Sequence, residues 1–409
     1  MNGSSILILT ASPLCRNPRV VKEAATLGAA GYQVTVLTVA SQPRFEQMDR
    51  ELMRNQPFTR ITVDHRSTGW RSRLAKLGQR FATWRARRMI RYFRIESAQA
   101  LGPASALLRR ARTIPADLTI VHTEIPIWAA KKLIRDGRRV AVDVEDWYSE
   151  DLMYRDRQSR PLRLLRRAEA FALRHATYAS TTSQSMAAGL AQAFGCPVPI
   201  ILRNTFPLQP VSRLDQPIGD QPPKFIWFSQ TIGPGRGLEL FLAAWSRTKN
   251  PSSIHLLGDE RPGYCAYLRE LLPPHRRGDL HVLPLVPPDA LPGLLAQYDI
   301  GLALEPHWPL NRDLTISNKI FQYMNAGLAV ISTDTAGQTE VLTAAPQCGL
   351  LVKAGETTKL AADLEALLAD RPRLRAMQEA ARHAVENTLA WEHEAPRLLA
   401  AVKEALSPR

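Results

Sequence analysis

Residues 225–239 read Phe225-Ile-Trp-Phe-Ser-Gln-Thr-Ile-Gly-Pro-Gly-Arg-Gly-Leu-Glu239: an apolar run, a glycine-rich turn, and the start of an amphipathic stretch reaching Arg247. A short apolar run closed by turn residues suits a buried strand, and the periodicity after it suits a helix. The alternation continues in both directions. Upstream, Ile6 to Leu9, Val34 to Val39, Leu118 to Val121, Val140 to Val144, Tyr178 to Thr181 and Ile200 to Leu202 read as strands, with helices at Pro18 to Ala30, Leu162 to His175 and from Ser185. Downstream, strands are expected at Ile254 to Leu257, Leu280 to Leu283, Ile300 to Leu304 and Ala329 to Thr333, with helices at Tyr264 to Leu272, Leu291 to Gln297 and Asn318 to Ala326. Strands feeding crossover helices make parallel α/β sheets, so the expected class is α/β with two doubly wound domains. Residues 207–223 hold five prolines and little apolar periodicity, and they read as a linker between domains 1–206 and 224–409, with the terminal helices free to cross back. Ligands of open α/β sheets bind at the carboxyl ends of the strands, so two such domains imply a cleft.

The chain has 409 residues, 45% of them apolar and 22% charged, which excludes a disordered or fibrous chain and suits two domains. Its net charge of +15 is lopsided: residues 1–208 carry 33 Lys/Arg against 16 Asp/Glu, and 209–409 carry 20 against 22. The first half therefore suits an anionic partner. Four separated cysteines without CxxC spacing indicate neither a disulfide framework nor a zinc site. With no signal-like N-terminus and no run of about 18 apolar residues, a cytoplasmic protein is expected, with any membrane contact peripheral.

Three places could carry chemistry. In 229–239, Gly233, Gly235 and Gly237 allow close backbone approach, the helix start offers free N–H groups, and Arg236 adds a fork of donors. An anion site is one reading of this segment, a glycine-rich turn with a surface arginine the other; it is neither a Walker A nor a full GxGxxG sequence. In the second place Ser317, Asn318 and Lys319 open the helix that Gly327 ends. Lys319 in a first turn opposes the helix dipole, so it should be held by an anion, such as a bound diphosphate, or else be solvated. The third is Val142-Asp-Val-Glu-Asp-Trp-Tyr-Ser-Glu150, where Asp143, Glu145 and Asp146 crowd a strand end. There Glu145 could bind sugar hydroxyls, take a proton, or pair with an arginine. His122 ends the preceding strand, either as a catalytic group or as a satisfied histidine, and Arg19 near the first helix start could meet an anion.

The second half resembles the donor domain of GT-B glycosyltransferases of group 1, family 4. The resemblance rests on the 229–239 turn, Leu256-Leu-Gly-Asp-Glu260, Tyr298-Asp-Ile-Gly-Leu-Ala303, Asn318-Lys-Ile-Phe-Gln-Tyr-Met-Asn-Ala-Gly327, Cys348-Gly-Leu-Leu-Val352 and Trp391 in that family's order. The first half is similar to the acceptor domain through Asn17-Pro-Arg-Val-Val-Lys-Glu-Ala24, Ala116-Asp-Leu-Thr-Ile-Val-His122, 142–150 and Ile201-Leu-Arg-Asn204. The resemblance implies two Rossmann-like domains and transfer of a sugar from a nucleotide sugar to a glycan or lipid-linked acceptor. It further implies retention of configuration without a covalent enzyme intermediate, no metal, and no cofactor beyond the nucleotide-sugar co-substrate. It carries donor binding onto Ser229, Gly233, Gly235, Arg236, Gly237, Ser317, Asn318, Lys319 and Gln322. The family's further arginine falls on Thr231, and its pair of glutamates eight residues apart falls on Leu314 and Gln322. Relatives with an NKxFxY segment often lack that pair, which points to a variant subgroup, and Glu305 or Asp313 could substitute. Where Glu145 stands, relatives often have a histidine beside the sugar.

Between Arg66 and Arg112 stand 13 Lys/Arg and one acid, Glu96. Trp70, Leu74, Leu77, Phe81 and Trp84 recur at helical spacing among these cations, which suits an anionic membrane surface; a core-facing helix is the alternative. Two other functions compete with sugar transfer: a non-catalytic nucleotide- or glycan-binding scaffold, favoured by Leu314 and Gln322, and a nucleic-acid-binding protein, for which no recognised module accompanies the charge.

Overall fold

The computed structural model describes residues 3–40, 42–63, 70–217 and 221–407, apart from the side chains of 70–76 and 155. The chain divides into two compact units, Met1–Leu202 with Ala395–Arg409, and Arg203–Glu394.

The first unit holds strands β1 (Ser5–Leu9), β2 (Gln33–Val39), β3 (Thr59–Val63), β4 (Leu118–Val121), β5 (Val140–Val144), β6 (Ala179–Thr181) and β7 (Ile200–Ile201). They form one parallel sheet in the order β3-β2-β1-β4-β5-β6-β7. Ile6 to Leu9 and Val140 to Val144 are wholly buried because helices cover both faces, which is why these strands read as apolar runs, broken in the second only by Asp143. The order reverses direction between β1 and β4, and that switch point opens at the carboxyl ends where Ala11 and Thr123 stand.

The second unit holds β8 (Lys224–Ile232), β9 (Ser253–Glu260), β10 (Leu280–Leu283), β11 (Ile300–Ala303), β12 (Ala329–Thr333) and β13 (Gly349–Val352), parallel in the order β10-β9-β8-β11-β12-β13. Phe225 and Trp227 pack into the core layer with Phe241 and Trp245, and Ile226 packs into the opposite layer with Phe321 and Met324. That alternation buries both faces of β8. The strand runs four residues beyond Phe228, with a register shift between Phe228 and Thr231. Gly258 makes room for this extension, since a Cβ there would lie 2.4 Å from the Ser229 carbonyl oxygen.

The stretch read as a linker packs on the second unit among its described residues. Gln209 N donates to Asn325 Oδ1 at 3.0 Å, Arg213 N donates to the Ala326 carbonyl at 2.7 Å, and Arg213 Nε donates to Asp299 Oδ1 at 3.0 Å. Ser212 and Asp215 close a reciprocal cap. The helix Trp391–Leu406 contains the second boundary between the units.

Candidate functional site

In the second unit the switch point lies between β8 and β11, and the loops leaving these strands bring the predicted basic residues to one carboxylate. Glu305, buried just after β11, accepts from Lys319 Nζ at 2.5 Å and from Arg236 Nη1 at 3.4 Å. Burial opposes its charge, but Lys319 and Arg236 outweigh burial and hold the carboxyl below its ordinary range, so it is ionised. Lys319 is thus neither solvated nor without an anion; Glu305 is the local counter-ion. Ser317 stands at the N-cap of Asn318–Asn325 but does not cap it. Its hydroxyl lies 3.4 Å from Glu305 Oε1 and accepts from Lys319 Nζ at 3.3 Å. The helix Leu238–Trp245 starts after Gly237 with no side-chain cap either. Gly237 has φ 75° and would place a Cβ 3.1 Å from that of Leu304, so the turn fits glycine best.

The other donor-side candidates occupy the same surroundings unevenly. Gly235 offers its carbonyl to Arg312 Nη1 at 3.1 Å, which brings in a third cation that the sequence did not single out. Gly233 packs against the Arg261 side chain, Ser229 lies in the irregular part of β8, and Asn318 is exposed at the helix start. Gln322 keeps a buried Oε1 without a hydrogen-bond partner among the described residues, an acceptor at the place where the resemblance puts a glutamate. Of the two substitute carboxylates, Glu305 holds the cations, whereas Asp313 is engaged by His307, whose Nδ1 lies 2.6 Å from Asp313 and Nε2 2.9 Å from Asp334. Gly337 lets the helix Ala336–Ala344 approach the Leu314 and Thr315 backbone, since a Cβ there would lie 2.5 Å from the Leu314 carbonyl oxygen.

In the first unit the strand ends build a buried ionic network. Arg19 Nε and Nη2 donate to the two oxygens of Asp143 at 2.8 and 2.6 Å, while Nη1 donates to the Leu202 carbonyl at 2.8 Å. Ser180 Oγ donates to Asp143 Oδ2 at 2.5 Å. His122 lies between Glu23 Oε2, 2.5 Å from Nε2, and Asp143 Oδ1, 3.5 Å from Nδ1. Burial opposes an imidazolium there, but the two carboxylates prevail and raise its pKa to about 10. Two expectations are corrected. Arg19 is committed to Asp143 and Leu202 and is only 2% exposed, so it cannot meet an acceptor. His122 is fully buried between Glu23 and Asp143, so it does not reach a substrate.

Glu145 is different. It borders a 490 Å³ pocket with Ser12, Thr123, Tyr148 and Arg160, and it makes no hydrogen bond or ion pair among the described residues. Burial first, and then Asp146, raise its pKa to about 7, against the pull of His122 and Arg19. A carboxyl with that pKa exchanges a proton readily near neutral pH. Thr123, at φ 63°, holds the pocket wall by accepting from Ala11 N at 3.1 Å. His122, Asp143 and Glu145 bring potential ligand atoms within 4.8 Å of one another. Both Asp143 oxygens already accept from Arg19, and His122 lies against Glu23, so this donor set does not fit a cation.

The helix Trp70–Phe93 carries the predicted basic, aromatic face. Leu77, Phe81 and Trp84 are 60%, 61% and 52% exposed, while Ala86 and Ile90 pack with Ala100 on the other side. Phe81 and Trp84 therefore do not face the core. The side chains of Trp70 and Leu74 lie outside the described residues. Arg88 sits over the rings of Trp84 and Tyr92 at 5.1 and 5.2 Å. No helix among the described residues is long and apolar enough to cross a membrane.

Two parallel sheets of doubly wound order, one with a basic, glycine-rich switch point, place the protein in the class of GT-B folds. Residues 222–370 match the family model for glycosyl transferases group 1, and residues 17–203 match that for the glycosyl transferase 4-like domain. The chain belongs to the group 1, family 4-like glycosyltransferases. Solved structures similar to it include sucrose-phosphate synthase from Thermosynechococcus elongatus, at 14% identity and a TM-score of 0.72 over 98% of both chains. A glycosyltransferase from Rickettsia africae has 14% identity and a TM-score of 0.70 over all of both chains. HepE from Anabaena, solved with UDP and glucose, has 17% identity and a TM-score of 0.66 over 98% of this chain and 99% of its own. A search of curated proteins returns no matching sequence.

Proposed function

We propose that this protein transfers a sugar from a nucleotide-sugar donor to a glycan or lipid-linked acceptor, with retention of configuration and without a metal or other cofactor, in polysaccharide or glycolipid synthesis at the cytoplasmic face of a membrane. The observation that carries the reading is the Arg236–Glu305–Lys319 cluster beside two helix starts that have no side-chain cap. Free N–H groups and fixed cations at a sheet switch point suit a diphosphate, and they stabilise the negative charge that grows on it as the glycosidic bond breaks. The HepE complexes with UDP and UDP-glucose support a nucleotide diphosphate at such a fold. Gln322 Oε1 offers an acceptor to a ribose hydroxyl. In the first unit, Glu145 as the carboxylate accepts a hydrogen bond from the acceptor's reacting hydroxyl.

The donor reading is tested by binding. Arg236→Ala should weaken a nucleoside diphosphate roughly tenfold, and Lys319→Ala up to roughly a hundredfold, since each removes a charged hydrogen-bonding partner. Free nucleoside should bind both variants as it does the parent, measured by calorimetry. Equal losses for both ligands would contradict the phosphate role. Binding without turnover of any candidate nucleotide sugar would favour the scaffold reading.

For the membrane, the exposed Phe81 and Trp84 beside Arg88 suit an anionic interface. Phe81→Ser with Trp84→Ser should lower sedimentation with anionic vesicles roughly tenfold or more, as two large side chains lose their apolar burial. Unchanged partitioning would remove this helix from membrane binding.

A further inference from the structure

A second cationic feature of the first unit lies between two of its other helices. The helices Glu124–Arg135 and Leu162–His175 pack together and leave a groove of 510 Å³ between them. Lys131, Lys132 and Arg135 line it from one helix, Arg163 and Arg167 from the other, with Trp128 in its wall. Lys131 and Arg135 are four residues apart, as are Arg163 and Arg167, so like charges repel along each helix and again across the groove. Glu96 is the one acid in the lining, and it is already engaged. It accepts from Arg163 Nε at 3.3 Å and from the backbone N–H groups of Arg163 and Leu164 at 3.2 and 2.7 Å, closing the first turn of Leu162–His175. Lys131, Lys132, Arg135 and Arg167 make no ion pair among the described residues. Aromatic faces hold three of them instead: Lys132 lies 5.2 Å from the Trp128 ring centre, and Lys131 and Arg135 lie 5.1 and 5.8 Å from that of Phe171. Nearby Asp136 is held by both Arg112 donors, at 2.7 and 3.1 Å.

We propose that this groove binds the phosphate groups of anionic membrane lipids. Four cations line a concave site without a protein counter-ion, three of them held on aromatic faces, and such a site calls for a polyvalent anion or several monovalent ones. The groove's surroundings favour a lipid over a free phosphate. The chain reaches Glu96 directly after Tyr92, Phe93 and Ile95, which are 59%, 67% and 56% exposed, and Arg163 Nη2 donates to the Arg94 carbonyl at 2.6 Å. Exposed apolar side chains thus stand one to four residues before the groove's Glu96 in the chain, an order that suits an acyl boundary beside a phosphate layer. The inference rests on the reading that this unit meets a membrane, and it adds a headgroup site to that reading.

The test is sedimentation of the full chain with phosphatidylcholine vesicles containing phosphatidylglycerol as the minor lipid. Lys131→Ala/Arg135→Ala/Arg167→Ala should reduce vesicle affinity roughly a hundredfold. A control, Arg50→Ala/Arg54→Ala/Arg109→Ala, removes the same charge from exposed sites elsewhere on the unit and should reduce it far less. The groove variant should melt at or above the parent temperature, because it relieves repulsion. Equal losses for the two triple variants, or no loss for the groove variant while Phe81→Ser/Trp84→Ser abolishes binding, would overturn this proposal and leave the membrane reading standing. Absence of sedimentation by the parent protein would overturn both. Inorganic pyrophosphate that binds the groove and displaces the parent protein from vesicles would identify a soluble phosphate as the ligand and overturn the lipid assignment.

Discussion

Arg19→Leu is expected to destabilise the first unit by about 3–5 kcal/mol, the usual consequence of removing one partner from a buried ion pair. The guanidinium donates twice to Asp143 and once to Leu202, and Asp143 also serves Ser180 and faces His122. Without Arg19, the carboxylates of Glu23 and Asp143 would share one imidazolium in a site that excludes water. For a unit of this size the melting temperature should fall by roughly 10 °C. Arg19→Lys should lie between the two, because an ammonium keeps the charge but cannot reach both oxygens and the carbonyl from one plane. The network also has a pH signature. His122 has its pKa raised to about 10, so its contribution is complete below the ordinary histidine value of 6.5 and is lost as pH rises through about 10. Denaturant unfolding across that range would measure it. A parent-like midpoint for Arg19→Leu would show that the network does not support the fold.

The second large effect concerns catalysis. Glu145→Gln is expected to reduce sugar transfer by about a hundredfold or more, since an amide cannot take the place of the carboxylate toward a hydroxyl proton. In the parent, transfer should rise with pH through about 7, where Glu145 ionises, and the variant should lack this inflection. The linkage to stability runs the other way. Between the ordinary glutamate value of 4.5 and about 7 the folded state holds a proton on Glu145 that the unfolded chain has released, so this group's contribution falls as pH rises through that window. Glu145→Gln should therefore unfold with a flatter pH dependence between those values. A variant of unchanged rate and profile would assign Glu145 to the pocket wall alone.

The buried strands were legible because covering both faces of a parallel sheet demands mostly apolar residues: β4, β5 and β12 lie where such runs stand. Strand β3 was not. It is a half-buried edge strand, and Arg60 within it pairs with Asp49 at 2.9 Å and Glu46 at 3.1 Å, so charge interrupts the pattern that marks the others. The edge strand β13 is likewise only partly buried and begins at a glycine. At the candidate site, Arg236 and Lys319 were legible from their places beside a glycine turn and in a first helical turn. Their shared dependence on Glu305 was not, because 69 and 14 residues separate that carboxylate from them in the chain. Arg19 was misjudged for the same reason. A helix start suggests anion binding, and nothing local announces that Asp143, 124 residues on, takes both prongs of its fork.

Glu305 has a further consequence for how a ligand would enter the second unit. A pair of cations with no internal counter-ion would repel each other and sample many rotamers in solvent until a ligand arrived. With the carboxylate between them, the side chains are organised beforehand, so an incoming diphosphate meets cations that Glu305 already holds and need not fix them. Nucleotide binding of this kind should carry a small conformational-entropy penalty and a mild dependence on ionic strength, in contrast to the steep salt response expected of the cationic first unit.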